Sequence, residues 1–178
     1  GVSAEQVDIG TTVLGCRWEV PFYINAMTGG TQATAAINAG LAEAAAEAGV
    51  AIACGSQHVA LRDPERADGF HVIRHRAPGA FVLANVGPTV SPQEALQAVE
   101  MLEANALQIH LNAAQELVMP EGDRDFTGWS EAIAGIVAAV PVPVVVKEVG
   151  FGLSRRTIEA LARTGIAAVD VAGAGGTD

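Results

Sequence analysis

Short, almost wholly apolar runs alternate with longer stretches of mixed polarity along most of the chain. The apolar runs occupy Phe22–Met27, Val50–Cys54, Phe81–Val86, Leu107–Leu111, Val142–Lys147 and Ala168–Val171. Runs of about five residues without a polar face predict strands buried on both sides, as in a parallel sheet. Between them, Ala33–Ala48, Pro92–Glu103, Trp129–Val140 and Arg155–Thr164 read as helices. Ser91, followed by Pro92 and Glu94, predicts a capped helix start, and Ser154 the same for the last helix. Gly49 and Gly165 stand where helices should stop. Arg62–Arg76, with its charges and with Pro64 and Pro78 nearby, leaves a short helix or a loop open. No repeat, low-complexity tract or linker interrupts the βα alternation.

Six parallel strands fit two architectures. A doubly wound sheet usually carries GxGxxG after its first strand, and Gly29-Gly30 does not match that form. A (β/α)8 TIM barrel gathers its chemistry at the C-terminal ends of its strands. Polar residues fall there at every strand: Asn25 and Thr28, Ser56 and Gln57, Asn85, His110 and Asn112, Lys147 and Glu148, and Gly175-Gly176-Thr177. The barrel is therefore expected, with about six of its eight βα units within residues 1–178, one domain incomplete at both ends.

Composition agrees. Half of the 178 residues are hydrophobic and only 4% aromatic, which suits Val- and Ile-rich strands flanked by Ala-rich helices. The formal net charge of −10 leaves no basic face for a nucleic-acid partner. Cys16 and Cys54 have no metal-like spacing, and Cys54, inside an apolar run, reads as a buried free thiol. No apolar run reaches the roughly 18–20 residues that span a bilayer, and the start of the chain lacks a signal-peptide pattern. A cytoplasmic protein without membrane contact is expected.

Each strand-end cluster has a plain reading and a functional one. Asn25-Ala26-Met27-Thr28-Gly29-Gly30 is a glycine-rich turn, or a place where a flat ring approaches the backbone. Gly55-Ser56-Gln57-His58 is a polar loop, or a set of donors for a ligand. Asn85 commonly would serve a turn, and gains weight only from standing in register with the others. Alternation points His110 and Asn112 to one side of their strand, with Gln115 and Glu116 on the loop that follows. Glu116 is a solvated glutamate, or a carboxylate that holds Mg2+ beside a phosphate substrate. Lys147 ends an apolar strand, so its ammonium needs an anionic partner: Glu148, an anionic ligand or an electron-rich flavin edge. Glu148, its neighbour, points to the opposite face.

Taken in order, INAMTGG (24–30), GSQ (55–57), ANVGP (84–88), QIHLNAAQE (108–116), PEGDRDFTGW (120–129), VVKEVGFGLS (145–154) and DVAGAGGT (170–177) resemble the type 2, flavin-dependent isopentenyl-diphosphate isomerases. HLNxxQE, PEGDRDFxGW and KEVGFG are the most specific of these. The resemblance implies a (β/α)8 barrel that binds FMN and Mg2+, with NAD(P)H as reductant. It implies interconversion of isopentenyl and dimethylallyl diphosphate by an allylic proton shift, within isoprenoid biosynthesis. By the same resemblance, Ala26, Met27, Thr28, Ser56, Asn85, Lys147 and Thr177 match flavin-contacting positions. Ser56, Gln57, His58, His110 and Asn112 match the substrate site, Gln115 a substrate contact near the reacting carbons, and Glu116 the metal ligand. The family is commonly a homo-oligomer, a tetramer or octamer.

One departure stands out: the family usually has arginine after GSQ, where this chain has His58. The family's basic substrate motif and its last strands, with the flavin-phosphate site, are expected outside residues 1–178. Two other readings stay open from the residues alone. One is another FMN barrel, such as a 2-hydroxy-acid oxidase; the other is a truncated, non-catalytic barrel chain.

Overall fold

A computed structural model of the chain describes residues 1–120 and 122–173. Six parallel strands form one sheet in sequence order: β3 (Tyr23–Ile24), β4 (Ala51–Ala53), β5 (Val82–Val86), β6 (Ala106–Leu111), β7 (Val144–Glu148) and β8 (Ala168–Asp170). The sheet curls into part of a barrel. Six helices connect its strands: α1 (Gln32–Ala48), α3 (Asp68–Arg76), α4 (Pro92–Leu102), α6 (Trp129–Ala139) and α7 (Arg155–Ala162), with the short α2 (His58–Arg62) preceding α3. A seventh, α5 (Ala113–Val118), follows β6 directly. The expected barrel with six βα units is the architecture found.

Side chains alternate across the sheet, so each strand feeds two cores. Ile52, Val82, Ala84, Val86, Leu107, Ile109, Val144 and Val146 pack outward against the helices in the larger one. Ala51, Ala53, Leu83, Ala106 and Val145 face inward and form a small apolar floor in the lumen. Both faces are buried, which is why these strands read as continuous apolar runs.

The helix boundaries follow from capping. Ser91 Oγ accepts from Glu94 N at 3.2 Å while Glu94 Oε2 accepts from Ser91 N at 2.7 Å, a reciprocal capping box with Pro92 at the first position. Ser154 caps α7 with a single bond, its Oγ accepting from Thr157 N at 3.1 Å. Gly49 ends α1 at φ 66°, a left-handed conformation that costs other residues energy. The segment 62–76 resolves as helix over Asp68–Arg76. It is anchored by Arg74, whose guanidinium donates to the carbonyls of Leu102 (3.0 Å), Glu103 (2.8 Å), Pro78 (3.1 Å) and Ala80 (3.1 Å). That fork ties α3 to the end of α4 and the entry of β5.

Two elements were not anticipated. Strands β1 (Thr11–Val13) and β2 (Cys16–Trp18) form an antiparallel hairpin, too short for a readable alternation. Its Trp18 packs on Tyr23 and Phe81, with ring centroids 5.8 and 5.5 Å away, and covers the apolar floor from below. The first strand of the sheet is also shorter than Phe22–Met27. Asn25 Oδ1 accepts from Ala26 N at 2.7 Å, so a side chain takes the donor that a strand ladder would use.

Ile109 is fully buried in the outer core. Replacing it with alanine should lower unfolding free energy by about 2–5 kcal/mol, read from urea denaturation followed by circular dichroism.

Candidate active site

Above the apolar floor, the inward positions of β5 to β8 turn polar. Register places Asn85 beside Gln108, and His110 beside Lys147, which pairs in turn with Asp170. Burial forces these groups to satisfy one another. Tyr23 Oη donates to Asp170 Oδ2 at 2.5 Å across the lumen, and Gln108 Nε2 donates to Tyr23 Oη at 3.2 Å. Asn85 Nδ2 donates to Gln108 Oε1 at 2.9 Å, and Asn85 Oδ1 lies 2.8 Å from His110 Nδ1. Asp170 also accepts from Asn25 Nδ2 at 3.2 Å and from Ala172 N at 2.9 Å.

His110 sits at the top of this network, its Nε2–Cε1 edge against Gly87. Burial pushes its pKa down to about 4; the Lys147 and His58 charges act in the same direction, while Glu116 and the Val86 carbonyl oppose them. The imidazole is therefore neutral at pH 7. Tyr23 is shifted upward, first by burial and then by its bond to Asp170, so its phenol stays protonated.

Lys147 is 7% exposed, and its Nζ donates to the Glu148 carbonyl at 3.2 Å. No carboxylate lies within 4 Å of that ammonium among the described residues. Glu148 points away, as alternation requires. Its Oε2 accepts from the backbone N–H groups of Gly150 (2.6 Å), Phe151 (2.6 Å) and Gly152 (2.8 Å), which fixes the loop after β7. The ammonium thus stands on the inward face of β7 with a backbone carbonyl as its hydrogen-bond partner.

A cavity of about 210 Å3 opens beside His110. It is lined by Ser56, His58, Asn112, Glu116 and Asp123 over a wall of Gly87-Pro88-Thr89 and Trp129. Glu116 is oriented from both sides: Oε1 accepts from Asn112 Nδ2 at 2.7 Å, and Oε2 from Asp123 N at 2.8 Å. A single carboxylate held this way can share a divalent cation with a ligand's phosphate oxygens. It could not hold one alone: no cluster of three or more His, Cys, Asp or Glu suited to a metal exists among the described residues.

The predicted residues divide by position. Ser56, His58, His110, Asn112 and Glu116 come together around the cavity, with Asn85 directly beneath His110. Lys147 stands beside His110 in strand register without lining the cavity. Gln115 and Glu116 lie on α5, not on a loop, and Gln115 is half-buried outside the cavity lining. Gln57 lies elsewhere: it is fully buried, its Nε2 donates to Ala98 O at 2.9 Å, and its Oε1 accepts from Asn85 N at 2.9 Å. In this structure it braces the backbone behind the site. Ala26, half-buried, and Met27, exposed, follow β3, while the Thr28 hydroxyl donates to Asn38 Oδ1. A Cβ on Gly55 would fall on the Thr28 carbonyl, so glycine there lets the first two strand-end loops touch. Thr177 lies outside the described residues.

Sequence reasoning passed over Tyr23, Gln108 and Asp170. Their signal was present: Gln108 has the same strand parity as His110, and Asp170 closes an otherwise apolar run.

Curated relatives match the chain from end to end. Isopentenyl-diphosphate delta-isomerase of Kitasatospora griseola is 56% identical over 178 residues, all of this chain and 49% of that protein. Those of Streptomyces sp. (strain CL190) and Listeria monocytogenes serovar 1/2a are each 52% identical, over 178 and 176 residues and again 49% of their lengths. The chain belongs to the isopentenyl-diphosphate delta-isomerase family. It spans about half the length of the curated isomerases it matches. No family model matches. Among solved structures, mandelate oxidase with (S)-2-phenylpropionate aligns with a TM-score of 0.60 at 16% identity, over 92% of this chain and 50% of that one. A mandelate oxidase mutant with the monooxide FMN adduct gives 0.59 at 15% identity, with the same coverage. At such identities they establish the fold.

Because His110 is held neutral, the folded chain binds fewer protons than the unfolded chain between the ordinary pKa of about 6.5 and the folded value of about 4. Its contribution to stability is present in full above pH 6.5 and is lost as pH falls through 4. His110→Gln should flatten that part of the stability–pH curve by up to about 3 kcal/mol, measured by urea denaturation from pH 4 to 7.5.

Proposed function

We propose that the protein carrying this chain is a type 2, FMN-dependent isopentenyl-diphosphate isomerase, converting isopentenyl to dimethylallyl diphosphate and back. The observation that carries this reading is the buried Lys147 ammonium, without a carboxylate partner among the described residues, beside a cavity with one oriented carboxylate, Glu116. An anionic flavin would compensate the first and a cation-bound diphosphate the second. The FMN adduct in a mandelate oxidase of the same fold supports the flavin.

The residues present fit both groups. Ala26, Met27, Thr28, Ser56, Asn85 and Lys147 would hold the flavin; of these, Thr28 offers its backbone, since its hydroxyl is engaged by Asn38. Glu116 would hold Mg2+, with most of the remaining oxygens supplied by diphosphate and water. When bound, reduced FMN, maintained by NAD(P)H, supplies the acid/base group for an allylic proton shift without net redox.

The chain's own part is orientation and electrostatics. Lys147 stabilises negative charge at the lumen-facing edge of its ligand. Asn112 and the Asp123 amide aim Glu116 at the cation. His58, Ser56, His110 and Asn112 line the space for the diphosphate, and Gln115, outside that lining on the helix that carries Glu116, is assigned to the reacting carbons by the family resemblance alone. His58 stands where the family usually has arginine, and an imidazole lacks the guanidinium's bidentate fork for phosphate. The apolar floor and Trp18 give the lumen an apolar base. Gln57 acts behind Asn85. We place this activity in isoprenoid biosynthesis, in the cytoplasm, in a homo-oligomer of four or eight chains. Among the described residues, no helix is long and apolar enough to cross a membrane.

A 2-hydroxy-acid oxidase would share the fold. It would need a histidine base and an arginine clamp beside the flavin from late strands of the barrel, which are expected outside residues 1–178.

Purified protein supplied with FMN, Mg2+, NADPH and isopentenyl diphosphate should form dimethylallyl diphosphate, detected by 31P and 1H NMR. Flavin bound without turnover would sink the isomerase, flavin reduction by a hydroxy acid would favour the oxidase, and a colourless protein unmoved by FMN would favour a non-catalytic chain. Lys147→Met should weaken FMN binding by roughly 30-fold or more, followed by flavin fluorescence. Glu116→Gln should leave FMN affinity unchanged and raise the Mg2+ needed for half-maximal rate.

A further inference from the structure

The lumen network has a direction. A carboxylate has no proton to give, so the 2.5 Å contact makes Tyr23 Oη the donor to Asp170. The phenolic oxygen is then an acceptor toward Gln108, which must present its Nε2 at 3.2 Å. Gln108 therefore turns Oε1 toward Asn85, whose Nδ2 fills it at 2.9 Å. Asn85 is left with Oδ1 toward His110 Nδ1, 2.8 Å away. An oxygen there accepts only from an N–H. Flipping the two amides together would leave Tyr23 with one proton for two acceptors, Gln108 Oε1 and Asp170 Oδ2. The anion at the far end thereby excludes the reversed chain. Asp170 is itself held as an acceptor by Asn25 Nδ2 and Ala172 N.

We propose that Asp170, acting through Tyr23, Gln108 and Asn85, locks neutral His110 as its Nδ1–H tautomer, so that Nε2 offers a lone pair to a hydrogen-bond donor of the ligand. Such a donor is a cation-bound water or a protonated phosphate oxygen. A bare phosphate oxygen meets repulsion at Nε2, so charge compensation of phosphate falls to the cation held by Glu116. The ligand side of this assignment rests on the diphosphate reading above; the tautomer does not. Asp170, Tyr23, Gln108 and Asn85 are positioning residues, and Asn85 doubles as a flavin-contact candidate.

The test is a two-bond 1H–15N spectrum of the full chain labelled at its four histidines, with His110 assigned by its loss in His110→Gln. The expected result at pH 7 is a protonated Nδ1 and a pyridine-type Nε2 at His110, as one tautomer. A protonated Nε2, or an averaged pair of signals, in the unmodified chain would overturn the proposal. Tyr23→Phe and Asp170→Asn each remove the directional constraint and should produce a tautomer mixture. Phe81→Leu, which loosens the same lumen floor outside the chain of bonds, should lower stability but leave the single tautomer. Retention of the single tautomer in both chain variants would overturn the proposal, as would its loss in Phe81→Leu to the same degree. Adding inorganic diphosphate with Mg2+ should shift His110 Nε2 without protonating it, and conversion to imidazolium would refute the acceptor role. No response at any histidine would count against the diphosphate site while leaving the tautomer to the first spectrum.

Discussion

Inside the curl of this sheet, above the Leu83–Ala106–Val145 floor, the inward polar side chains are buried or half-buried and find most of their partners among one another. That constraint organises the site. Five inward groups from four strands, Asn85, Gln108, His110, Lys147 and Asp170, stand in adjacent registers, and Tyr23 reaches over from the first strand. Parallel pairing sets their heights, and alternation gives them a common face. Moving any strand by one residue would turn its polar group into the helix layer and bring an apolar one into the lumen. The same packing that buries the core thus assembles the polar layer.

Within that layer, hydrogen bonding and charge divide the labour. Tyr23, Gln108, Asn85 and His110 satisfy each other in sequence and end on the one carboxylate in reach. Lys147 is left out of the chain and holds only a carbonyl. A buried ammonium costs far more than a buried amide when unpaired, so the unfinished business of the lumen is electrostatic, not a matter of missing hydrogen bonds. The acidic residues nearby are already committed. Glu148 is turned outward to three loop amides, Asp170 is bound to Tyr23 and Asn25, and Glu116 is engaged by Asn112 and Asp123. This distribution leaves one buried positive group beside His110 and one oriented carboxylate on the cavity that His110 also lines.

Much of this was legible in the residues because burial writes itself into hydrophobic pattern. Strands buried on both faces appear as unbroken apolar runs, and serine, proline and glycine mark the helix ends through capping and left-handed turns. His110, Asn112 and Lys147 were visible as polar interruptions at strand ends. What escaped follows from length and direction. The six residues of α5 are too few to show a helical period, so Glu116 read as a loop residue. The three-residue strands of the N-terminal hairpin show no alternation. Gln57 shares a strand end with Ser56, but nothing in the local pattern says that its amide turns back to Asn85 N and Ala98 O. Tyr23 and Asp170 are 147 positions apart, and only the curl of the sheet brings them within a hydrogen bond.

The pair Lys147-Glu148 shows how adjacency in sequence misleads about partnership in space. Two opposite charges side by side suggest a salt bridge, yet successive strand residues point to opposite faces, and the fold uses them for unlike tasks. Glu148 is satisfied by Gly150, Phe151 and Gly152 amides from the turn that its own strand enters, a local nest that needs no cation. Had it neutralised Lys147 instead, that loop would lose its anchor and the lumen would lose its unpaired charge. The separation of the two is therefore what keeps an anion-binding group available inside a lumen where an isolated charge is otherwise too costly to maintain.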